Sequence, residues 1–393
     1  MKSFLVKLGK IYKMIRKNGP WNGCRIVFMY VGIFIKSLFG VKSGDILIIT
    51  GGVGDSAFYR AGNQKEELNM HGFRCFSTIT DNPFLLKYVS RFKIFIFHRT
   101  IVTPKIAAFL EEIKKAKKEI IFDTDDLVYD IKYFENTDSY QSMNALEKRQ
   151  YEKGVGEEIV KDGYVKVATT TTSFLANKLR ESGKIVYISK NKISNHELEI
   201  AEKIRQNFKK KEDGIVRIGY YSGTISHNKD FASITPALMN ILEKYEKTEL
   251  LLAGPLDSEN ELNKFKDRVK KLPFVPRDQY YENLYLSDIN LAPLIKGDPF
   301  CESKSEIKFT EPGVLGVPTV AIRNQTFSEA IEDGVDGFLA DNISEWTEKI
   351  SRLIENENLR REMGEKAREK VLREYSNKNS HNEKYYNYLK SKL

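Results

Sequence analysis

From Asp45 onward, short runs rich in β-branched residues alternate with longer amphipathic stretches, and few folds accept that rhythm. Strand, crossover helix, strand is the repeating unit of a parallel sheet. Strands are expected at residues 46–50, 74–78, 94–98, 119–123, 165–169 and 185–188. Helices are expected between them, as at 105–117 and 145–154, and another at 198–208. The rhythm pauses at Lys209-Lys210-Lys211-Glu212-Asp213-Gly214, a charged run ending in glycine, and restarts with strands at 216–220, 250–253, 289–292, 319–322 and 337–340. The tail, 343–393, reads as helical with a break at 375–379. A chain of 393 residues has room for two such bodies, each burying its own core. The expected architecture is α/β: two Rossmann-like, doubly wound domains facing a central cleft. They occupy residues 45–208 and 215–375, joined by a linker at 209–214 and followed by a C-terminal helix at 376–393. Ligands of such sheets bind at the carboxyl ends of the strands, so functional residues are sought there.

The net charge of +9 suggests a polyanion until it is located. Nine of the 63 basic residues, and no acidic one, fall in residues 1–44, which leaves 54 bases against 54 acids in the remainder. A balanced body with a basic, apolar head points to a membrane surface and away from nucleic acid. Phe4, Leu8, Ile11 and Ile15 repeat at helical spacing among lysines, so 1–44 is expected to be a basic amphipathic helical segment. The apolar run 26–35 is too short to span a bilayer, which implies a peripheral protein on the inner face of the cell membrane. Three scattered cysteines offer no disulfide framework and suit a reducing cytoplasm; five scattered histidines offer no zinc spacing.

The most informative stretch runs from Asp288 to Ala321. A strand ends at Pro293, and a loop leads to Ser303-Lys304-Ser305 ahead of a helical run at 306–315. Ser305 is placed to cap that helix, whose free N–H groups and positive end suit a phosphate. Lys304 and Lys308 add full charge, and Glu311, one turn beyond Lys308, suits the vicinal hydroxyls of a ribose. A second loop, Ser222-Gly223-Thr224-Ile225-Ser226-His227-Asn228-Lys229, follows the strand at 216–220; its small residues permit close approach of a ligand, and Thr224, His227 and Lys229 join the candidates for donor binding.

These residues resemble glycosyltransferase family 4, a group with the GT-B fold. Its C-terminal domain carries two glutamates separated by seven residues before a small-residue helix and a Gly-x-Pro strand start. Glu311 takes the place of the second glutamate, and Gly316-Val317-Pro318 matches the continuation. The first position holds Ser303, with Glu302 beside it. The run Lys304-Ser305, Lys308, Glu311 is similar instead to a branch resembling bacterial cell-surface, rhamnosyl-type transferases. Glu332 to Leu339 resembles the family's turn before its last strand. The resemblance spans roughly 215–375, and by it Lys229 binds phosphate, the loop at Ser222 lies under the donor diphosphate, and transfer retains configuration.

The first half is read as the acceptor domain. Gly51-Gly52-Val53-Gly54-Asp55 follows the first strand, and Gly52, Asp55, Tyr59 and Arg60 are candidates to meet an acceptor. Arg99 follows His98 at one strand end, and Asp125 and Asp126 lie at another; the resemblance makes these three cleft residues for acceptor binding or proton transfer. The acidic run 123–126 could suit a divalent cation, but lysines and helix ends can neutralise a diphosphate, so no metal or other cofactor is expected. The expectation is a glycosyltransferase that moves a sugar from a UDP-, GDP- or dTDP-linked donor to a glycan or lipid-linked glycan. A nucleotide-sugar epimerase of the same fold, or a non-catalytic partner subunit, stands as the alternative.

Overall fold

The computed structural model describes residues 20–393 apart from 153, 224–227, 255, 257–259 and 274. The repeat of Phe4, Leu8, Ile11 and Ile15 therefore lies outside the described residues, and Pro20–Phe39 forms one helix. No helix among the described residues is long and apolar enough to cross a membrane.

The chain forms two compact units. Unit 1 comprises Met1–Lys192 and Ser380–Leu393, and unit 2 is Ile193–Asn379. Each holds one six-stranded sheet with every strand parallel to its neighbours.

In unit 1 the strands are β1 (Ile46–Thr50), β2 (Cys75–Ile79), β3 (Ile94–His98), β4 (Glu119–Thr124), β5 (Val167–Thr170) and β6 (Ile185–Ile188), in the order β2-β1-β3-β4-β5-β6. The order reverses between β1 and β3, which opens a ligand position at their carboxyl ends. Register places Thr50 beside His98, His98 beside Asp123, and Asp123 beside Thr169. Because side chains alternate across a strand, these neighbours form one polar row on one face. Beneath it Ile46, Ile48, Ile94, Ile96 and Ile121 build the apolar interior.

Unit 2 holds β7 (Val216–Tyr221), β8 (Thr248–Ala253), β9 (Val269–Leu272), β10 (Ile289–Ala292), β11 (Thr319–Ile322) and β12 (Phe338–Ala340), in the order β12-β11-β10-β7-β8-β9. Here the reversal lies between β7 and β10. Strand β9 was not expected: its two central residues are exposed lysines on a sheet edge, so it carries no run of apolar residues to mark it.

The unit boundaries differ from the expected linker at 209–214. The Asn195–Asn207 helix opens with a complete capping box from Ser194 and Glu197 and buries Ala201 and Ile204 in the core of unit 2. Residues 209–214 are consequently a loop inside that unit, where Asp213 pairs with Arg217. The tail breaks at Asn356 as well as after Glu374, and its last helix, Glu383–Lys390, returns to unit 1. Tyr385, Tyr386 and Leu389 join the core there. Lys192, at the end of the first passage through unit 1, donates to Glu67 Oε1 (2.6 Å) and Ser380 Oγ (2.5 Å), and Tyr386 donates to the same Glu67 oxygen (2.5 Å). A buried charge pair survives only when so bonded, and this one clips the returning segment in place.

Candidate functional sites at the carboxyl edges of the two sheets

In unit 2, β7 runs out at Ser222, whose N–H donates to the Ala253 carbonyl at the end of β8 (2.9 Å). The two strand ends are so close that a Cβ on Gly254 would lie 1.8 Å from the Ser222 carbonyl oxygen, and Gly254 has φ +91°. Only glycine meets both demands. Over Gly223, by contrast, no atom of the described residues beyond its chain neighbours lies within 4 Å of where a Cβ would stand. Thr224 and His227 lie outside the described residues. Lys229 is exposed on the short Asn228–Ala232 helix. Its neighbour Asp230, not among the expected residues, is buried and accepts from the Ile295 N–H (3.1 Å) and the Cys301 thiol (3.4 Å), which fixes the loop after β10.

The next helix is Ile307–Val314, preceded by Glu306 with no side-chain cap. The helix begins at Ile307, two residues beyond Ser305, with the Glu306 carbonyl accepting from Phe309 and Thr310. Lys304 lies over the Phe300 ring, 3.8 Å from its centroid. Lys308 is half-buried, donates to the Tyr221 carbonyl at the end of β7, and stands 4.6 Å from the centroid of Tyr220. Burial drives its ammonium down to about 8, against the opposing pull of Asp230 and Glu311.

The backbone of Lys308 is held by an unusual route. Its carbonyl would ordinarily accept from the N–H four residues on, but that residue is Pro312, which has none. Asn290 Nδ2 donates to the carbonyl instead (2.7 Å), seconded by Thr319 Oγ1 (3.4 Å), and register sets Asn290 and Thr319 side by side on β10 and β11. A proline thus ties the lysine to the sheet.

Glu311, on the same helix face, is buried, and both its oxygens are engaged. Oε1 accepts from Arg277 Nη2 (2.8 Å), and Oε2 from the Tyr280 hydroxyl (2.8 Å). Arg277 also donates from Nε to Glu197 (2.9 Å). Arg277 and Tyr280 were not expected; they follow Val275-Pro276 with nothing in their spacing to mark them. Lys304, Lys308 and the start of the helix gather positive charge ahead of the Glu311 carboxylate, a combination chemically suited to a diphosphate.

In unit 1, Arg99 has φ +42°, rare for a side-chain-bearing residue, and a Cβ on Gly51 would lie 2.1 Å from its carbonyl oxygen. The ends of β1 and β3 are pressed together at the reversal of strand order. Arg99 Nε donates to Asp125 Oδ1 (2.6 Å), and Nη2 to Asp126 Oδ2 (3.3 Å). Asp126 also accepts from the Leu127 N–H, capping the short Leu127–Tyr129 turn. Burial would raise the Asp125 carboxyl, but Arg99 foremost, with His98 and Arg60, holds it below the usual range.

Arg60, expected to meet an acceptor, is fully buried. It lies in a π-helical turn, Phe58–Asn63, and clasps Asp123 through Nε (3.1 Å) and Nη2 (2.5 Å) while donating to the Ser189 carbonyl (2.6 Å). Tyr59 is buried too. Arg60 presents no surface to a ligand and Tyr59 little, because the guanidinium is drawn inward to Asp123 and the Ser189 carbonyl. Gly52 and Asp55 are exposed.

What Arg60 supports is a row that sequence reasoning missed. His98 Nδ1 meets Asp123 Oδ2 (2.9 Å), His98 Nε2 meets Ser56 Oγ (2.8 Å), and Ser56 Oγ donates to Asp125 Oδ1 (3.3 Å). Thr169 Oγ1 donates to Asp123 Oδ1 (2.6 Å). Burial would raise the Asp123 carboxyl, but the Arg60 charge and the bonds from His98 and Arg60 hold it well below the usual range. An ionised Asp123 can only accept, so Nδ1 carries a proton, and the single hydroxyl proton of Ser56 serves either Nε2 or Asp125. Half-buried Ser56, Asp125 and Arg99 form the outer end of this row, a set of donors and acceptors suited to hydroxyl groups. Among the described residues no group of three or more His, Cys, Asp or Glu is arranged to hold a metal ion.

Residues 200–370 match the family described as glycosyl transferases group 1. No match is found among curated proteins. Among solved structures the chain is similar to HepE of Anabaena in complex with UDP, at 14% identity over 88% of this chain and 100% of that one, with a TM-score of 0.57. A glycosyltransferase of Rickettsia africae is similar at 14% identity over 89% and 99%, TM-score 0.57. Sucrose-phosphate synthase of Thermosynechococcus elongatus follows at 12% over 84% and 95%, TM-score 0.57. At such identities these likenesses establish the two-domain GT-B fold.

Proposed function

We propose that this chain, a glycosyltransferase carrying a group 1 domain in its second unit, transfers a hexosyl or deoxyhexosyl residue from a nucleoside diphosphate-sugar to a hydroxyl of a lipid-linked glycan in bacterial surface polysaccharide synthesis. Unit 2 takes the donor. The observation that supports this reading is Lys308 at the end of β7, where strand order reverses, with Glu311 one turn further along the same helix; in this reading the lysine supplies charge for a diphosphate and the glutamate meets a ribose. Lys229, Lys304 and the helix beginning at Ile307 complete the charge, so departure of the diphosphate needs no metal. The bond from the anomeric carbon to the diphosphate breaks with its electron pair on the leaving group, while the acceptor hydroxyl oxygen bonds to that carbon with retention of configuration and its proton passes to the departing diphosphate.

Unit 1 takes the acceptor, whose hydroxyls meet Asp125, Arg99 and Ser56, with His98, Asp123 and Arg60 positioning them from behind. The basic apolar head holds the enzyme on the cytoplasmic face of the membrane, where a lipid-linked acceptor is presented. HepE, solved with UDP and with UDP-glucose, supports a uridine nucleotide as the first donor to try. Hydrolysis of UDP-, GDP- and dTDP-sugars by the full chain tests the donor site. Glu311→Ala is expected to lower turnover of the preferred donor by about 100-fold or more. Parent-like turnover in Glu311→Ala and Lys308→Ala together would refute the assignment.

A further inference from the structure

Unit 1 carries an apolar surface that neither site uses. Along the Pro20–Phe39 helix, Phe28 is 75% exposed, Ile35 51% and Phe39 72%, with Val31 also exposed. At 100° per residue these four fall within roughly 80° of arc, a stripe from which the also exposed Ile33 stands apart. At its carboxyl end the stripe continues onto a different part of the chain. Phe39 and Phe84 are in ring contact at 6.5 Å, and beside Phe84 stands Leu86, 55% exposed. The two stretches are fastened rigidly. Thr78 Oγ1 donates to the Ser37 carbonyl (2.9 Å) and the fully buried Asn82 donates from Nδ2 to the Leu38 carbonyl (3.1 Å), while its Oδ1 accepts from the Phe84 N–H (2.9 Å). One asparagine therefore sets the helix end and the turn at a common level.

The rim of this surface is basic. Lys36 and Lys42 flank the helix end, Lys87 stands 5.2 Å from the Phe84 ring centroid, and Arg91 is exposed. Residues 20–44 contain no acid. The acid on the turn, Asp81, has Lys105 as its electrostatic partner, and Lys105 donates to the Asn82 carbonyl (2.7 Å). Pairing with a second copy through this stripe would bring two basic rims together, which like-charge repulsion opposes. An anionic lipid surface satisfies the rings and the rim at once, with apolar side chains at the headgroup boundary and lysines among the phosphates.

We propose that unit 1 meets anionic lipid through one continuous patch built from two stretches, the Pro20–Phe39 helix and the turn bearing Phe84, Leu86 and Lys87. This rests on the membrane reading above and adds to it: the folded body, and not only the basic head, touches the bilayer, which fixes the face of unit 1 that is turned toward lipid.

Sedimentation of the full chain with phosphatidylcholine vesicles containing phosphatidylglycerol, and with phosphatidylcholine alone, tests it. The parent chain binds the anionic vesicles. Leu86→Asp with Lys87→Glu, which leaves the helix intact, weakens that binding on the order of 10- to 100-fold. Val335→Asp, an exposed apolar residue of unit 2, leaves it unchanged. Parent-like binding by the turn variant, with binding lost in Phe28→Asp/Phe39→Asp, removes the turn from the patch and overturns the proposal while the membrane reading stands. Failure of the parent to bind anionic vesicles, or its dimerisation in their place, overturns both. Thermal melting of each variant separates lost contact from lost fold.

Discussion

Lys308→Met is expected to make the protein more stable and to abolish its hold on a nucleotide. In the folded chain the ammonium is driven from the ordinary lysine value down to about 8 by burial, a penalty of about 3 kcal/mol at neutral pH. Between pH 8 and the ordinary value near 10.4 the unfolded chain binds more protons, so stability climbs with pH across that window. Below pH 8 the penalty is carried in full. Removing the charge relieves it, while losing the bond to the Tyr221 carbonyl costs about 1–2 kcal/mol. The net gain of about 1–2 kcal/mol should raise the melting temperature by roughly 3–6 °C at pH 7. A diphosphate would restore the reason for the charge. Its binding should take up a proton above pH 8, and affinity should fall about tenfold per pH unit there. Calorimetry of the parent with UDP in buffers of different ionisation enthalpy reads the proton; scanning calorimetry reads the stability. A melting temperature that falls in Lys308→Met, with UDP bound equally at pH 7 and above pH 9 and no proton taken up, would refute the assignment of this lysine.

Asn290→Ala leaves the Lys308 carbonyl without its main donor and should cost about 1–3 kcal/mol in urea unfolding. Adding Pro312→Ala restores a helical N–H and should recover at least half of that loss; a purely additive second cost would disprove the linkage. Asp123→Asn breaks a buried ion pair with Arg60 and should cost about 3–5 kcal/mol at pH 7. Because the folded Asp123 pKa lies below its unfolded value, its contribution is complete above the ordinary aspartate range and fades as pH falls through the folded pKa. The variant should therefore lose less stability on acidification than the parent, and parallel acid limbs would count against the pairing.

The strands were legible wherever branched apolar residues fill them. Ile46–Thr50, Ile94–His98, Ile185–Ile188, Ile289–Ala292 and Thr319–Ile322 coincide with expectation. Strand β9 is made by its neighbour, since Val269 to Leu272 pair with Leu250 to Ala253 and bury little of their own. The unit boundaries were hidden because the Asn195–Asn207 helix looks the same from either side; what assigns it is the core that receives Ala201 and Ile204. Lys308 and Glu311 were found because helix periodicity sets them one turn apart, but their partners Asp230, Arg277 and Tyr280 come from distant segments. The outward reading of Arg60 failed for a related reason. The aspartate that draws the guanidinium inward lies 63 positions away. His98 and Asp123 are adjacent only through the register of β3 and β4.

Unit 2 leaves and rejoins the chain at a single neck. Ile193 donates its N–H to the Tyr375 carbonyl (2.7 Å), and Asn377 returns one to the Ile193 carbonyl (3.0 Å), so the first residue of the module is already bonded close to its last, Asn379. A body whose ends meet in this way can be lifted out, or replaced by another of its kind, without asking the host for a new junction. Exchange of whole donor modules between homologous enzymes is thus open to this architecture, whereas trimming the last dozen residues strikes at the host, whose core they fill.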